Sequence, residues 1–271
     1  MENMFDIENK VAIITGASGS LAGSIAKSFA QSGVKLALLT RDTSSLKSLL
    51  KEIEGIGGHA RAYDADIMDE TSLKSVKDKI LSDFGSIDIL LNIAGGNLPG
   101  ATVALDKTLF DLSIDAFKKV TDLNLNGTVI PSLVFGKTMA EQKKGVILNY
   151  SSMAVERAIT RVAGYSASKA AMENFTRWMA VEMALKFGEG VRVNAISPGF
   201  FIGKQNKALL TNEDGSYTQR GEDIIKNTPM GRFGEISELN GAIHFLCSDA
   251  AKFITGAVLP IDGGFSAFSG V

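Results

Sequence analysis

Four side chains in the middle of this chain have types and spacing that could carry proton chemistry: Asn124, Ser152, Tyr165 and Lys169. Tyr165 and Lys169 stand four residues apart, so on a helix they share one face. Ser152 precedes Tyr165 by thirteen residues, enough for a loop to return its hydroxyl to that face. A free tyrosine, with a pKa of about 10, is a poor base at neutral pH. A nearby ammonium favours the phenolate, which suits Lys169 as its partner. A serine hydroxyl can hold a substrate oxygen and stabilise charge developing on it. Together the set could protonate a carbonyl oxygen while a hydride reaches the carbon. Each part alone is commonplace, since Tyr-x-x-x-Lys arises by accident on amphipathic helices and Asn124 could merely cap or kink one. Their joint occurrence is what points to chemistry.

Hydride transfer needs a carrier, and the first strand-like run ends where one could dock. Lys10 to Thr15 is a short apolar run that enters Gly16-Ala17-Ser18-Gly19-Ser20-Leu21-Ala22-Gly23. Glycine there lets the backbone turn sharply and approach a pyrophosphate, whose charge meets the amides opening the next helix. The expected phosphate-side residues are Gly16, Ser18, Gly19, Ser20 and Leu21.

The elements around these residues alternate with regularity. Apolar strand-like runs lie at Lys35 to Thr40, up to Asp64, at Asp88 to Ala94, Gly145 to Ser151, Val191 to Ser197 and Val258 to Asp262. Between them apolar residues recur at helical spacing: Leu21 to Ser32, Leu46 to Ile53, Leu73 to Phe84, Asp115 to Gln142, Tyr165 to Phe187 and Ile236 to Cys247. Strands alternating with helices predict an α/β fold, a single doubly wound parallel sheet of about seven strands with helices on both faces. No linker or repeat divides it, so one Rossmann-type catalytic domain is expected over residues 1–271. The stretch from about Phe200 to Pro229 is polar and weakly periodic, and its place after a strand end suits a substrate lid.

Composition excludes several other functions. The 271 residues carry a net charge of −2, which offers nothing to nucleic acid or an anionic membrane. No apolar run approaches the roughly 20 residues that span a bilayer, and Met1 to Lys10 lacks a signal-peptide pattern, so a cytoplasmic protein is expected. With one cysteine, Cys247, and two distant histidines, His59 and His244, neither a metal site nor a Ser-His-Asp hydrolase is indicated. Both histidines are expected to be structural or on the surface.

With these residues in view, the chain resembles the short-chain dehydrogenase/reductase family along essentially its whole length. The resemblance implies that Asn124, Ser152, Tyr165 and Lys169 form a catalytic tetrad, in which Asn124 organises a water linking Lys169 to a proton relay. It implies that Lys169 also holds the cofactor ribose, and that Asp66 and Ile67 flank the adenine. Asn92, Ala94 and Gly95 would support the sheet and the cofactor, and Pro198, Gly199 and Ile202 the nicotinamide end. A homotetramer is implied as well, and the apolar tail Phe265 to Val271 is a candidate to cross a subunit boundary. The chain departs from the family's glycine motif, with Ser20 and Ala22 where glycines usually stand, and a shifted phosphate loop is expected.

Cofactor choice turns on Leu39-Thr40-Arg41-Asp42. No acid stands at Thr40 to hold ribose hydroxyls, and Arg41 could bind a 2′-phosphate, so NADP is favoured with NAD possible. The segments around Asn97, after Gly199 and at the C-terminus resemble the D-mannonate oxidoreductase (fructuronate reductase) branch of that family. A sugar acid needs a cation for its carboxylate and polar groups for its hydroxyls, for which Asn97, Arg157, Arg161, Lys204, Gln205 and Asn206 are the candidates. The alternatives are a gluconate-type or other keto-sugar dehydrogenase, a 3-oxoacyl reductase, and a catalytically silent nucleotide sensor.

Overall fold

Short, wholly apolar runs bounded by glycine leave no polar face, and the chain places them in the interior of one sheet. The computed structural model describes residues 3–203 and 206–270. Its strands are β1 (Val11–Thr15), β2 (Lys35–Thr40), β3 (His59–Asp64), β4 (Ile89–Asn92), β5 (Gly145–Tyr150), β6 (Val191–Pro198) and β7 (Val258–Ile261). They form a seven-stranded sheet in the order β3-β2-β1-β4-β5-β6-β7, and every pairing is parallel. The sheet therefore reverses its direction of growth between β1 and β4, the switch point at which such sheets bind ligands.

Helices cover both faces. α1 (Ser20–Gln31), α2 (Lys47–Gly55) and α9 (Glu238–Cys247) pack on one side, where Ile25, Phe29, Ile53 and Leu246 join Ile14, Leu38 and Leu148 of the strands. On the other side lie α3 (Glu70–Phe84), α5 (Gly127–Gln142) and α6 (Ala163–Phe187), with Ile80, Phe135, Met179 and Met183 against Ile13, Leu90 and Ile147. Burial of each such side chain contributes about 2 kcal/mol. The methionines of α6 are thus largely core.

Two differences from the sequence reading have physical causes. The expected single helix over 115–142 is divided: α4 (Ile114–Thr121) passes through a π turn, Asp122–Asn126, before α5. Pro131 within α5 lacks the N–H that would bond four residues back, and its ring crowds that carbonyl, which favours a widened turn upstream. The segment 200–229 is not structureless either. It holds the short α7 (Lys207–Leu210) and α8 (Gln219–Lys226), and Thr218 caps α8 by accepting from Gly221 N–H. Leu210, Ile224 and Phe233 form a small core of their own beside Phe200, Ile202 and Ile225. Eight residues with few apolar positions are too short to show periodicity.

His244 is partly buried and His59 lies on the surface. His244 bonds Ser28 at 3.0 Å and meets the Phe29 ring edge-on, while His59 stacks edge-on against Phe84. Among the described residues no cluster of His, Cys, Asp and Glu could hold a metal, and no helix is long and apolar enough to cross a membrane.

The two strands that flank the switch point are pinned by one hydroxyl. Buried Thr15 Oγ1 donates to the Leu91 carbonyl (3.3 Å) and accepts from the amides of Ile93 (3.0 Å) and Ala94 (3.1 Å). Valine has the same shape but leaves the Ala94 amide unpaired, while Ile93 N–H keeps its bond to the Leu91 carbonyl at 3.1 Å. We expect Thr15→Val to lower stability by about 2 kcal/mol in urea unfolding. A loss under roughly 0.5 kcal/mol would mean the amide is satisfied otherwise.

Candidate active site

Between β1 and α1 the backbone is arranged to receive an anion. Gly16 has φ +64°, and a Cβ there would lie 2.8 Å from Ala94 Cα, so only glycine lets the two strand ends approach this closely. α1 begins at Ser20 with Gly19 as its N-cap, and no side chain caps it. The amides of its first turn and the positive end of its dipole thus face outward, as a pyrophosphate requires. Ser20 and Leu21 do occupy that turn, and buried Ala22 packs where a glycine is usual. Across the opening, Gly203 approaches within 3.8 Å of Ser20 Oγ, measured from where its Cβ would be. The loop following β6 therefore overhangs the phosphate turn. Gly199 lies against Asp262, with only 2.6 Å between its Cβ position and Asp262 Cα.

Asn124 sits in the π turn, fully buried. Its Oδ1 accepts from Gly96 N–H and its Nδ2 donates to the carbonyls of Gly96 and Val120, all within 2.9 Å. Thr128 donates to the Asn124 carbonyl at 3.0 Å. The side chain thus clamps the glycine loop after β4. Gly95 has φ +148°, and a Cβ there would stand 2.7 Å from Asn124 Oδ1 and 3.6 Å from Lys169 Nζ. Asn92, buried at the end of β4, donates to Ser132 Oγ and to Asn149 Oδ1, which ties β4 to α5 and β5.

Tyr165 and Lys169 occupy the first turns of α6, and Ser152 lies just beyond β5. The Tyr165 hydroxyl lies near the Ser152 side chain, which favours the phenolate. Lys169 Nζ is buried, donates to the Tyr150 carbonyl at 2.6 Å and lies 5.8 Å from the centre of the Tyr165 ring. The electrostatics differ from the sequence expectation. Burial raises the Tyr165 phenol, the Ser152 side chain lowering it only in part, and burial pulls the Lys169 ammonium down to about 8. Desolvation outweighs the attraction of the ammonium because neither charge is hydrated there. Tyr165 is held as a phenol, the state needed to donate a proton.

The same helix carries a further buried acid that the spacing of Tyr165 and Lys169 extends to. Glu173, four beyond Lys169 and buried, accepts from Ser151 Oγ at 2.6 Å and pairs with Arg177 at 3.1 Å. It holds the end of β5 against α6 and so places Ser152. Continued four-residue spacing from Tyr165 would have revealed it.

The remaining candidates are scattered. At the adenine side Arg41 is exposed, Asp66 accepts from Met68 N–H at 2.9 Å, and buried Ile67 packs on Gly127. Pro198 ends β6, and Ile202 joins the small core beneath the 200–229 segment. Asn97 is exposed and donates to Thr102 at 2.6 Å. Arg161 donates from Nε to the Val103 carbonyl at 2.6 Å. Two candidates are engaged elsewhere. Arg157 grips the C-terminal segment through the carbonyls of Ser266 (2.6 Å) and Phe268 (3.1 Å), because those carbonyls have no strand partner. Asn206 braces its own loop, accepting from Gly203 N–H and donating to the Phe201 carbonyl. Lys204 and Gln205 lie outside the described residues, as does Val271 at the end of the tail. Within that tail, Phe265 packs on Phe200 of the same chain at 5.2 Å.

The donor set fits a dinucleotide: an uncapped helix start for the pyrophosphate, a glycine cradle beside Lys169 for the ribose, and a phenol close to a serine beyond. Known proteins agree with that geometry. Residues 16–266 match the family model described as enoyl-(acyl carrier protein) reductase. An "Uncharacterized oxidoreductase UxuB" of Bacillus subtilis (strain 168) is 42% identical, covering 98% of both chains. A crystal structure from Haemophilus influenza, provisionally designated a D-mannonate oxidoreductase and holding NAD, is 43% identical and superposes with a TM-score of 0.91 over 98% of each chain. A gluconate 5-dehydrogenase from Burkholderia cenocepacia J2315, in complex with NADP and tartrate, is 27% identical with a TM-score of 0.86 over 98% of each chain. The chain belongs to the short-chain dehydrogenase/reductase family and is a nicotinamide-dependent oxidoreductase acting on alcohol groups.

Burial of Lys169 carries a pH signature in the cofactor-free protein. Its pKa is about 8 folded and 10.5 unfolded, so below pH 8 the ammonium is present in both states and its desolvation cost is complete. Between pH 8 and 10.5 the folded protein sheds this proton first, so stability gains on the order of 3 kcal/mol from this residue. Denaturant melts at pH 7.5 and 10.5 should show that gain relative to Lys169→Met; parallel profiles in the two proteins would remove the buried ammonium as the cause.

Proposed function

We propose that this enzyme reduces the carbonyl of a keto-hexuronic acid, D-fructuronate, to the aldonic acid D-mannonate, and catalyses the reverse oxidation. The observation that carries this reading is the full-length similarity to the Haemophilus protein, joined to a complete Asn124, Ser152, Tyr165 and Lys169 set. When bound, the reduced nicotinamide supplies the hydride. Ser152 donates a hydrogen bond to the substrate carbonyl oxygen and holds it beside Tyr165. Tyr165 passes its phenolic proton to that oxygen as negative charge develops there. Lys169, close to its neutral point, stabilises the resulting phenolate and returns a proton toward it. Asn124 keeps the Gly95–Gly96 turn open beside Lys169, and Asn97 is positioned for a substrate hydroxyl.

NADP is the favoured cofactor, because exposed Arg41 follows β2 with no acid at Thr40. NAD is the second reading, supported by the NAD held in the Haemophilus structure. For the substrate, the Burkholderia gluconate 5-dehydrogenase favours a gluconate-type acid as second reading.

The test is absorbance of the reduced nicotinamide with D-fructuronate, D-tagaturonate, 5-ketogluconate and an acetoacetyl thioester, each with NADPH and NADH. Rapid oxidation with fructuronate is expected, falling at least about 1,000-fold in Tyr165→Phe. Arg41→Ala should lower kcat/KM for NADPH by about tenfold while sparing NADH. Turnover confined to ketogluconate or the thioester would overturn the substrate, and an unaltered NADPH preference would overturn the role of Arg41.

A homotetramer is proposed on the apolar surface of α5 and α6. Trp178, Val181 and Leu185 follow helical spacing, and with Leu133 each is more than half exposed. Light scattering should report four chains. Trp178→Glu with Leu185→Glu should shift the mass downward, and an unchanged mass would place the contact elsewhere.

A further inference from the structure

Resting on the reading of the substrate as a sugar acid, the unassigned question is what receives its carboxylate. Most arginines of the chain are already committed. Arg177 and Arg232 have carboxylate partners, Arg192 is capped by the carbonyls of Ser248 and Ile254, and Arg157 holds the tail. Arg161 and Arg220 differ: among the described residues neither forms an ion pair, and each makes a single side-chain hydrogen bond. Both are partly buried.

They also meet. Arg220, in the first turn of α8, donates from Nη1 to Thr160 Oγ1 at 3.4 Å, directly beside Arg161 in sequence. Burial lowers the Arg220 pKa, and repulsion from the Arg161 guanidinium adds to it. Two cations brought together without an acid cost energy that an anion between them would recover.

Arg161 is held ready for one. Its backbone has φ +76°, a left-handed conformation that a side chain disfavours. A reciprocal pair fixes it there: Val103 N–H donates to the Arg161 carbonyl at 2.9 Å, and Arg161 Nε donates to the Val103 carbonyl at 2.6 Å. With Nε engaged, the two terminal nitrogens form an open fork suited to a carboxylate. Arg161 precedes Tyr165 by four residues, just outside the helix that carries it.

We propose that Arg161 and Arg220 form the carboxylate subsite of this enzyme, so that the acid end of the substrate bridges the loop before α6 to helix α8. The ligand is a monocarboxylate whose carbonyl lies some carbons away from the acid, as in a keto-hexuronate. Arg161 makes the oriented contact, and Arg220 adds a second charge from α8.

The experiment compares kcat/KM for D-fructuronate with that for D-fructose, which lacks the carboxylate, in the wild type, Arg161→Gln, Arg220→Gln and the double variant. The acid-to-ketose ratio should fall about 10- to 100-fold in each single variant, mainly through KM. The double variant should fall by less than the product of the two, since both arginines hold one carboxylate. Lys226→Gln, a change of the same charge on α8, should leave the ratio alone. Calorimetric titration of D-mannonate into the enzyme with cofactor should show the same loss of affinity, a readout independent of turnover. A wild type that reduces fructuronate while both variants keep its ratio would overturn the subsite and leave the proposed function standing. A wild type inactive on hexuronates but active on another sugar acid would overturn that function, and the same ratio, taken with that acid and its uncharged analogue, would then decide the subsite. Activity on uncharged substrates alone would overturn both.

Discussion

The structure depends on how closely the ends of β1 and β4 approach at the point where the sheet reverses direction. With Gly16 in a left-handed conformation, the first turn passes against Ala94 at a distance no Cβ would permit. Thr15 Oγ1 then accepts from the amides of Ile93 and Ala94, which turn away from β4. This approach opens the start of α1 on one side and the glycine turn of Gly95–Gly96 on the other. Every group proposed for the reaction is placed relative to that opening.

From there a polar network runs through the core and ties the catalytic helix to the sheet. Asn92 reaches Ser132 and Asn149, Asn149 donates to Thr176, and Ser151 donates to Glu173. In a low-dielectric interior such bonds are costly to break, so they set the relative positions of β5, α5 and α6 more sharply than apolar packing could. The π turn serves the same end, since an α-helical course through 122–126 would rotate Asn124 away from Gly96.

Burial at this site shapes charge as well as geometry. Lys169 has one carbonyl partner and no carboxylate, and its ammonium is therefore only modestly favoured at neutral pH. Tyr165 is correspondingly kept protonated. In the proposed reaction the pair would serve as an acid and a proton source, rather than as a pre-formed phenolate. Arg161 and Arg220, near each other without an ion pair among the described residues, are the proposed place for an anion.

The sequence by itself determined the alternation of strands and helices, the parallel sheet and the Asn124, Ser152, Tyr165 and Lys169 set. Those features are written in local periodicity and fixed spacing, which survive without knowledge of distant partners. The tertiary structure alone decided the rest. It broke the 115–142 helix at a π turn, folded α8 out of a stretch too short to show a period, and reversed the expected direction of the Tyr165 shift, because desolvation depends on everything packed around a group. It also reassigned arginines that look alike in the sequence: Arg157 to the tail carbonyls, Arg161 and Arg220 to each other's company. A long, flexible cation carries no sign of its partner in its neighbours along the chain, and only the fold brings that partner within reach.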